Sequence, residues 1–345
     1  MIAVLPWSAS RGTGIGSLPG TDSLESARLI AGECSDFIHL HELPARGPGA
    51  DMIGRTGGML SSVSQEFSVE TTPRGWRFVP NAGKDTRRAQ SFLNEDLDSL
   101  EDVTQGYAGP LKVQVAGPWT LAAVIELASG ERALKDPSAC RDIAAALQEA
   151  LRVHIDHVQR RVPKARIVVQ IDEPALTQVL EGSIGTASGL SAYNAIDEQV
   201  ASPILAGVMT AITEAGATPG IHCCAAQPPI ELMVQAGAAF LSLDLLRACD
   251  DDQLGAAWES GLGLLAGTVP AIGQGMMSDT RASAPVRELA SRLGLGDAQY
   301  LSQVVVTPTC GMAGASPQWV RTAYETVKAA ARVLRGDEEG DRDER

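Results

Sequence analysis

The sequence predicts an α/β protein built from eight strand–helix units, the pattern of a single-domain (β/α)8 barrel. Eight short apolar runs have the length and β-branched composition of buried parallel strands, and helical patterns lie between most of them. A doubly wound sheet more often has five or six strands. Because no linker or tandem repeat divides the 345 residues, we expect one barrel over residues 1–335.

The predicted elements follow one another regularly along the chain. The strands are Asp36–Leu40, Trp76–Val79, Leu111–Ala116, Arg166–Ile171, Thr218–Ile221, Phe240–Leu243, Leu262–Ala266 and Gln303–Thr307. The helices include Ser23–Gly32, Cys140–Val162, Ser202–Ala215, Pro229–Ala236, Ala284–Leu293 and Pro317–Arg335. Asp22 stands three residues before Glu25, as in a helix cap, and Ser316 before a proline is typical of a helix start. Pro44–Lys84 is predicted to be an inserted loop region after the first strand.

Composition excludes several classes of protein. The chain has 28 basic and 42 acidic residues, a formal charge of −14, and 44% hydrophobic residues, so it can bury a large core. An acidic chain without a basic stripe is a poor nucleic-acid binder. No apolar run reaches the length of a membrane span, and the first residues do not form a signal peptide, so we expect a cytoplasmic protein. Residues 336–345 are predicted to form a disordered acidic tail.

Reactive side chains cluster directly after the predicted strands. Barrel enzymes carry their chemistry on the loops that follow the carboxyl ends of the strands. The residues at these points are His41, Glu42, Asp172, Glu173, His222, Cys223, Cys224, Asp244 and Cys310. Asp172–Glu173 could be only a solvated strand end, but a carboxylate pair on the same rim as thiols favours a functional role.

His222 and Cys224 form the strongest candidate for a metal site. They are two residues apart in an extended segment, so their side chains point the same way and that of Cys223 points elsewhere. An imidazole with thiolates suits zinc, and Cys310 after the last strand is the natural third ligand. The alternative is that these cysteines are core residues, because cysteine is often buried.

Two other patterns are set aside. The run from Gly12 to Gly16 resembles a dinucleotide fingerprint, but its spacing is wrong and the preceding Ser8–Arg11 is not expected to be a strand. Two histidine pairs share a face of their predicted elements, His39 with His41 and His154 with His157. Neither pair has a nearby thiolate or third ligand, so we interpret them as structural.

Six segments together resemble the catalytic barrel of cobalamin-independent methionine synthase, and more loosely the superfamily of uroporphyrinogen decarboxylase and the coenzyme M methyltransferases. The segments are Ile15–Pro19, His41–Glu42 with Asp51–Met52, Ala116–Pro118 with Thr120, Gln170–Leu176, Ile221–Cys224 and Pro308–Gly311. The run Gln-Ile-Asp-Glu-Pro-Ala-Leu and the order His-x-Cys then Cys-Gly are the specific signals. The resemblance covers nearly the whole chain.

The resemblance implies a zinc-dependent methyltransferase with homocysteine as the acceptor and methionine as the product. Zinc would be held by His222, Cys224, Cys310 and Asp244, where Asp244 stands in place of the family's usual glutamate. The amino-acid end of homocysteine would be bound by Ile15, Gly16, Ser17, Glu42 and Asp172. An α-ammonium does favour carboxylates, and an α-carboxylate favours hydroxyl and backbone N–H donors.

The sequence also departs from the family pattern on the methyl-donor side. Val124 stands where the family has a tryptophan that stacks on the folate, and Gln178 stands where it has a folate-binding glutamate. No histidine follows His222, so the family's proton-donating histidine near Val269–Ile272 is missing. The donor could therefore be a corrinoid protein or methyl-folate. Methyl transfer to another thiol, a metal-free decarboxylase-like barrel and a non-catalytic zinc-binding relative stay open as alternatives.

Overall fold

The computed structural model describes residues 4–186 and 188–337. Its strands are β1 (Arg11–Gly12), β2 (Ile38–His39), β3 (Ser68–Thr72), β4 (Gly75–Val79), β5 (Pro110–Ala116), β6 (Arg166–Asp172), β7 (Thr218–Cys223), β8 (Phe240–Asp244), β9 (Gly263–Val269) and β10 (Val304–Pro308). Its helices are α1 (Ser23–Glu33), α2 (Met52–Val63), α3 (Lys84–Val103), α4 (Pro118–Val124), α5 (Pro137–Arg161), α6 (Leu176–Glu181), α7 (Glu198–Glu214), α8 (Ile230–Gln235), α9 (Asp251–Glu259), α10 (Asp279–Leu293), α11 (Ala298–Leu301) and α12 (Pro317–Arg335).

Eight strands form one curled parallel sheet, in the order β1-β10-β9-β8-β7-β6-β5-β2. Backbone hydrogen bonds connect the segments that follow the two end strands. The Leu18 N–H donates to the Glu42 carbonyl at 2.9 Å, and the Glu42 N–H donates to the Gly16 carbonyl at 3.2 Å. These bonds close the barrel, so the predicted (β/α)8 fold class is confirmed.

The first barrel strand is β1, which the sequence analysis missed. Arg11 belongs to this strand, although Ser8–Arg11 was not expected to form one. β1 is short and glycine-rich and has no apolar run. A Cβ atom at Gly12 would lie 3.0 Å from the backbone of Val327 and Lys328, so the close packing of β1 against α12 requires glycine.

The predicted strand Trp76–Val79 was placed wrongly, because it belongs to β4 of a separate antiparallel pair with β3. The Trp76 ring is buried and its Nε1–H donates to Asp51 at 3.0 Å, while Phe78 packs edge-on against Phe67. A half-buried hairpin and a core strand carry the same local apolar signal, which explains the error.

The inserted region Pro44–Lys84 is structured and follows the second barrel strand, not the first. It contains α2 and the β3–β4 pair as well as short 3-10 turns. The Asp51 carboxylate caps α2 by accepting hydrogen bonds from the N–H groups of Ile53 and Gly54, at 3.1 and 3.0 Å. This helix carries Arg55 towards the barrel interior.

The barrel has two apolar layers. One lies inside the sheet near the amino ends of the strands and contains Trp7, Phe37, Val168, Phe240, Leu265 and Val305. The Trp7 ring centre is 5.4 Å from that of Phe37 and 6.1 Å from that of Phe240. The other, larger layer lies between the sheet and the helices. Because the inner layer fills one end, the polar groups gather at the other end.

The last helix begins and ends at the predicted residues, Pro317 and Arg335. Its N-cap Ser316 accepts a hydrogen bond from the Trp319 N–H at 3.1 Å, and Gly336 ends it with a φ of 71°. The predicted acidic tail lies outside the described residues except for Gly336 and Asp337. Among the helices described, none has the length and apolar character needed to cross a bilayer.

His154 on α5 should make stability depend on pH. Burial, with the charge of Arg55 adding to it, lowers the pKa of His154 to about 3, against about 6.5 in an unfolded chain. Between pH 7 and pH 5 the unfolded chain therefore binds a proton that the folded chain does not bind. The wild-type protein should therefore lose about 2 kcal/mol of stability through this histidine as the pH falls from 7 to 5. We expect His154→Gln to lack this loss when the free energy of unfolding is measured in urea at the two pH values. An equal effect of His157→Gln, a more exposed histidine one turn away, would contradict this assignment.

Candidate metal centre

Three side chains meet at the carboxyl end of the barrel. His222 lies in β7, Cys224 directly follows that strand, and Cys310 follows β10. One ligand atom from each, an imidazole nitrogen or a thiol sulfur, lies within 4.8 Å of the other two. The Sγ atoms of Cys310 and Cys224 are 3.4 Å apart, and the Cys310 Sγ is 4.0 Å from the His222 Nε2. Strands far apart in sequence thus bring the three predicted ligands together.

Ser242 on the neighbouring strand β8 orients the imidazole of His222. The Nδ1 atom lies 2.9 Å from the Ser242 Oγ and 3.1 Å from the Ser242 carbonyl oxygen. A carbonyl can only accept, so this contact favours a proton on Nδ1 and leaves the Nε2 lone pair facing the thiols. Histidines that bind a metal through one ring nitrogen commonly donate a hydrogen bond from the other ring nitrogen to a carbonyl or a similar acceptor.

The two cysteines share a proton unequally. The hydrogen bond between the two sulfur atoms outweighs burial and lowers the pKa of Cys310 to about 4. The same hydrogen bond, together with burial, raises the pKa of Cys224. Thiolate is the form of cysteine that binds metals. One imidazole and two adjacent sulfur atoms therefore fit zinc better than magnesium or calcium, which favour oxygen ligands.

Asp244 lies outside this group, although it was predicted to be a fourth ligand. Its carboxylate accepts hydrogen bonds from the Leu246 N–H at 3.0 Å and from the Arg247 Nε–H at 3.1 Å. Both of its oxygen atoms are thus engaged within its own loop. Cys223 is buried in the core outside the sheet, as its position between His222 and Cys224 predicted.

Glu42 and Asp172 lie at the same end of the barrel. Asp172 ends β6 directly beside His222 on β7, and its Oδ1 accepts a hydrogen bond from the Gln170 amide at 2.7 Å. Glu42 is 5% exposed, and its Oε1 lies 3.9 Å from the Arg55 Nε. Burial raises the pKa of Glu42 and raises that of Asp172 to about 7. Two buried carboxylates with incomplete partners can bind a cation.

The predicted segment Ile15–Ser17 is held against these groups. The Ile15 carbonyl accepts hydrogen bonds from the Lys112 Nζ at 2.6 Å and from the Gln170 amide at 3.2 Å. A Cβ atom at Gly16 would lie 2.8 Å from the Gln114 side chain, and one at Gly311 would lie 2.1 Å from the Ser17 Oγ. The Ser17 hydroxyl therefore lies against the residue that follows Cys310.

Lys112 is a buried cation that the sequence analysis did not identify. It lies in the middle of β5, is fully buried, and has its pKa lowered to about 8 by burial, against the charges of Asp172 and Glu42. A lysine inside the otherwise buried run Pro110–Ala116 was the available signal. Such a residue is almost never fully buried unless paired, which points to the carboxylates facing it.

Glu173 is a structural residue, which corrects its inclusion in a functional carboxylate pair. Its carboxylate accepts hydrogen bonds from the Trp119 N–H at 2.9 Å, the Thr120 N–H at 2.8 Å and the Thr120 Oγ–H at 2.7 Å. A Cβ atom at Gly117 would lie 2.3 Å from the Glu173 Oε1. Glu173 thus stabilises the start of α4 through these hydrogen bonds. Asp172 is the member of the pair that lies beside His222.

The positions that the sequence analysis assigned to methyl-donor binding lack charged or aromatic anchors, and exposed apolar side chains lie on nearby loops of the chain. Val124 is half-buried at the end of α4, and Gln178 is exposed on α6. The loops after β8 and β9 carry three large exposed side chains, Leu246 at 50%, Ile272 at 67% and Met276 at 97%. Val124 and the segment Val269–Ile272, where the family pattern has a tryptophan and a histidine, contain neither an aromatic ring nor a histidine.

Comparison with known proteins identifies the family. The sequence profile described as "Cobalamin-independent synthase, Catalytic domain" matches residues 11–333. The chain belongs to this family. The family and the predicted class of enzyme, a methyltransferase, are thereby confirmed. No curated protein matches the sequence.

Solved structures are similar in fold. A B12-independent methionine synthase from Shewanella sp. W3-18-1, in complex with selenomethionine, is 13% identical, with a TM-score of 0.61 over 97% of this chain and 99% of that chain. The GH5_18 protein from Streptomyces cattleya, in complex with GlcNAc, is also 13% identical, with a TM-score of 0.47 over 97% and 83% of the two chains. At 13% identity the likeness to the methionine synthase shows the barrel fold alone.

The structural role of Glu173 can be tested by Glu173→Gln. The amide keeps a single acceptor oxygen for three donors, so we expect a loss of roughly 2 kcal/mol in the free energy of unfolding, measured in urea. Glu181→Gln, an exposed glutamate at the end of α6, is the control and should change stability by less than about 0.5 kcal/mol. A neutral Glu173→Gln variant would contradict the assignment.

Proposed function

We propose that this methyltransferase methylates the thiol of homocysteine at a zinc ion held by His222, Cys224 and Cys310. The observation that carries the proposal is the juxtaposition of these three ligands with two buried carboxylates at one end of the barrel. The ligands suit a metal that activates sulfur, and the carboxylates suit the α-ammonium of an amino acid. Asp244 is not needed, because a site with three protein ligands leaves a position for the substrate.

Zinc, when bound, would favour the thiolate form of the acceptor, which is the nucleophile in methyl transfer. Ser242 fixes the His222 ring with its Nε2 towards the site, and the low pKa of Cys310 supplies a ligand that is already a thiolate. The chain's part in the chemistry is therefore to orient the His222 ring and to hold Cys310 as a thiolate, while Cys224, whose pKa is raised, would give up its proton when zinc binds.

Glu42 and Asp172 would bind the α-ammonium of the acceptor, and the Ser17 hydroxyl with the Ile15–Ser17 backbone would bind its α-carboxylate. Supporting this choice, the similar barrel from Shewanella is in complex with selenomethionine, which carries the same amino-acid end. Anchoring both charged groups at the amino-acid end of the acceptor would direct its sulfur towards the proposed zinc ligands and lower the entropic cost of the transfer. The six free cysteines suit a reducing compartment, and we propose the cytoplasm.

We propose a methyl-corrinoid, presented by a corrinoid protein, as the methyl donor, with methyl-folate as the alternative. Val124 and Gln178 do not supply an aromatic stacking ring or a carboxylate for a pterin. The exposed Leu246, Ile272 and Met276, on the loops that follow β8 and β9, would offer apolar contact to a larger donor. A rim of acids and thiols does not favour a decarboxylase that binds a polycarboxylate.

Zinc content tests the metal site. We expect about one zinc per chain by elemental mass spectrometry, and loss of that zinc in Cys310→Ser. Cys249→Ser is the matched control, because Cys249 is a half-buried free cysteine outside the group of three, and its zinc content should stay at the wild-type value. Retention of zinc in Cys310→Ser, or no zinc in the wild type after anaerobic loading, would contradict the proposal.

Turnover tests the reaction and the donor. We expect methionine from homocysteine with methylcobalamin, little or none with methyltetrahydrofolate, and a loss of at least about 100-fold in kcat/KM in Cys310→Ala. Formation of methionine from the folate alone would replace the proposed donor. Tight binding of homocysteine without turnover of either donor would favour the non-catalytic alternative.

A further inference from the structure

A buried ion network links the outside of the barrel to Glu42. Its centre is Asp96 on α3, which is fully buried. The Asp96 carboxylate contacts the His41 Nε2 at 3.0 Å and accepts hydrogen bonds from the Ser23 Oγ at 3.0 Å, the Arg46 Nη2 at 2.7 Å and the Arg55 Nη1. Burial acts against ionisation, but the His41 contact and Arg55 outweigh it and hold the pKa of Asp96 well below its usual range. Asp96 is therefore a fixed anion.

Arg55 lies between this anion and the candidate acceptor site. It is 3% exposed, its Nη1 donates to Asp96, and its Nε lies 3.9 Å from the Glu42 Oε1. The helix that carries it begins at the cap formed by Asp51, which fixes its backbone. The guanidinium is planar and always charged, so a hydrogen bond at one edge determines where its other edge points.

The separation of 3.9 Å has a chemical consequence. It is short enough for the charge of Arg55 to favour the ionised form of Glu42, yet too long for a hydrogen bond that would occupy the carboxylate. Arg55 thus favours the anionic form of Glu42 against burial and leaves the Glu42 oxygen atoms free of a hydrogen bond to the guanidinium.

We propose that Arg55, anchored by Asp96, is a positioning residue for Glu42 and thereby makes the site selective for thiols that carry an α-ammonium group. The inference rests on the proposed function, because it takes the acceptor thiol to be bound at the metal ligands. It adds a specificity element that acts through Glu42 without touching the acceptor. Arg55 belongs to α2, in the inserted region that follows the second barrel strand.

The test compares two thiols that differ only in the amino group. Homocysteine and 4-mercaptobutanoate share the sulfur and the carboxylate, so the zinc-loaded protein should bind both, and calorimetry gives their Kd values. We expect Arg55→Gln to weaken homocysteine about 10-fold and 4-mercaptobutanoate less than about 2-fold, and Arg55→Lys to weaken homocysteine about 3-fold. A merely structural role would weaken both thiols equally, and that result would overturn the proposal.

Two further variants make the result specific to Glu42. In a Glu42→Gln background, Arg55→Gln should cause no further loss of homocysteine affinity, whereas independent, multiplying losses would overturn the proposal. Arg46→Gln is the matched control, because Arg46 also binds Asp96 but has no ion pair with Glu42, and it should change neither Kd by more than about 2-fold. Thermal unfolding checks that each variant is folded. If Arg55→Gln does not fold, the binding of the two thiols is compared in Arg55→Lys instead.

The outcomes separate the two levels of inference. A wild-type protein that binds zinc but neither thiol overturns the proposed function, and the acceptor role of Glu42 with it. A wild-type protein that binds homocysteine, with equal losses for the two thiols in Arg55→Gln, overturns the positioning role of Arg55 alone.

Discussion

Closure of the barrel between the Gly16–Leu18 segment and Glu42 is the constraint on which the site depends. The two end strands of the sheet are each only two residues long, so the hydrogen bonds beyond them complete the closure. The same bonds place Ser17 and Glu42 side by side at the rim. Loss of this closure would separate Ser17 from Glu42, whereas the candidate metal ligands, held by β7 and β10, could stay in place.

The partners of each buried carboxylate distinguish structural roles from functional ones. Glu173 and Asp96 each receive several short hydrogen bonds and have little capacity left for a ligand. Glu42 and Asp172 have fewer close partners. Glu42 lies 3.9 Å from Arg55, and Asp172 accepts a hydrogen bond from Gln170 and feels the charge of Lys112. Since a buried charge is costly unless it is paired, incomplete pairing next to metal ligands indicates groups that are completed by a substrate.

The proposed acceptor and donor halves of the site differ in character. The acceptor half is polar and buried, and its groups are preoriented by hydrogen bonds from strands β5, β6 and β8. The donor half consists of loops with exposed apolar side chains and lacks the ring and histidine of the family pattern. In the proposed function, the buried half would recognise the amino acid, and a partner that presents the methyl donor would cover the open half.

The sequence by itself determined the repeated strand–helix pattern and seven of the eight barrel strands, and it identified His222, Cys224 and Cys310 as the group that the fold brings together, because apolar periodicity and short motifs are local properties. It did not reveal β1, whose glycines are explained only by packing against α12, and it mistook β4 for a barrel strand. Only the tertiary structure assigned Glu173 to a helix start, showed the Asp244 oxygens bonded within their own loop, and joined Asp96, Arg55 and Glu42. These roles depend on which distant groups surround a side chain, and that information is absent from its neighbours in sequence.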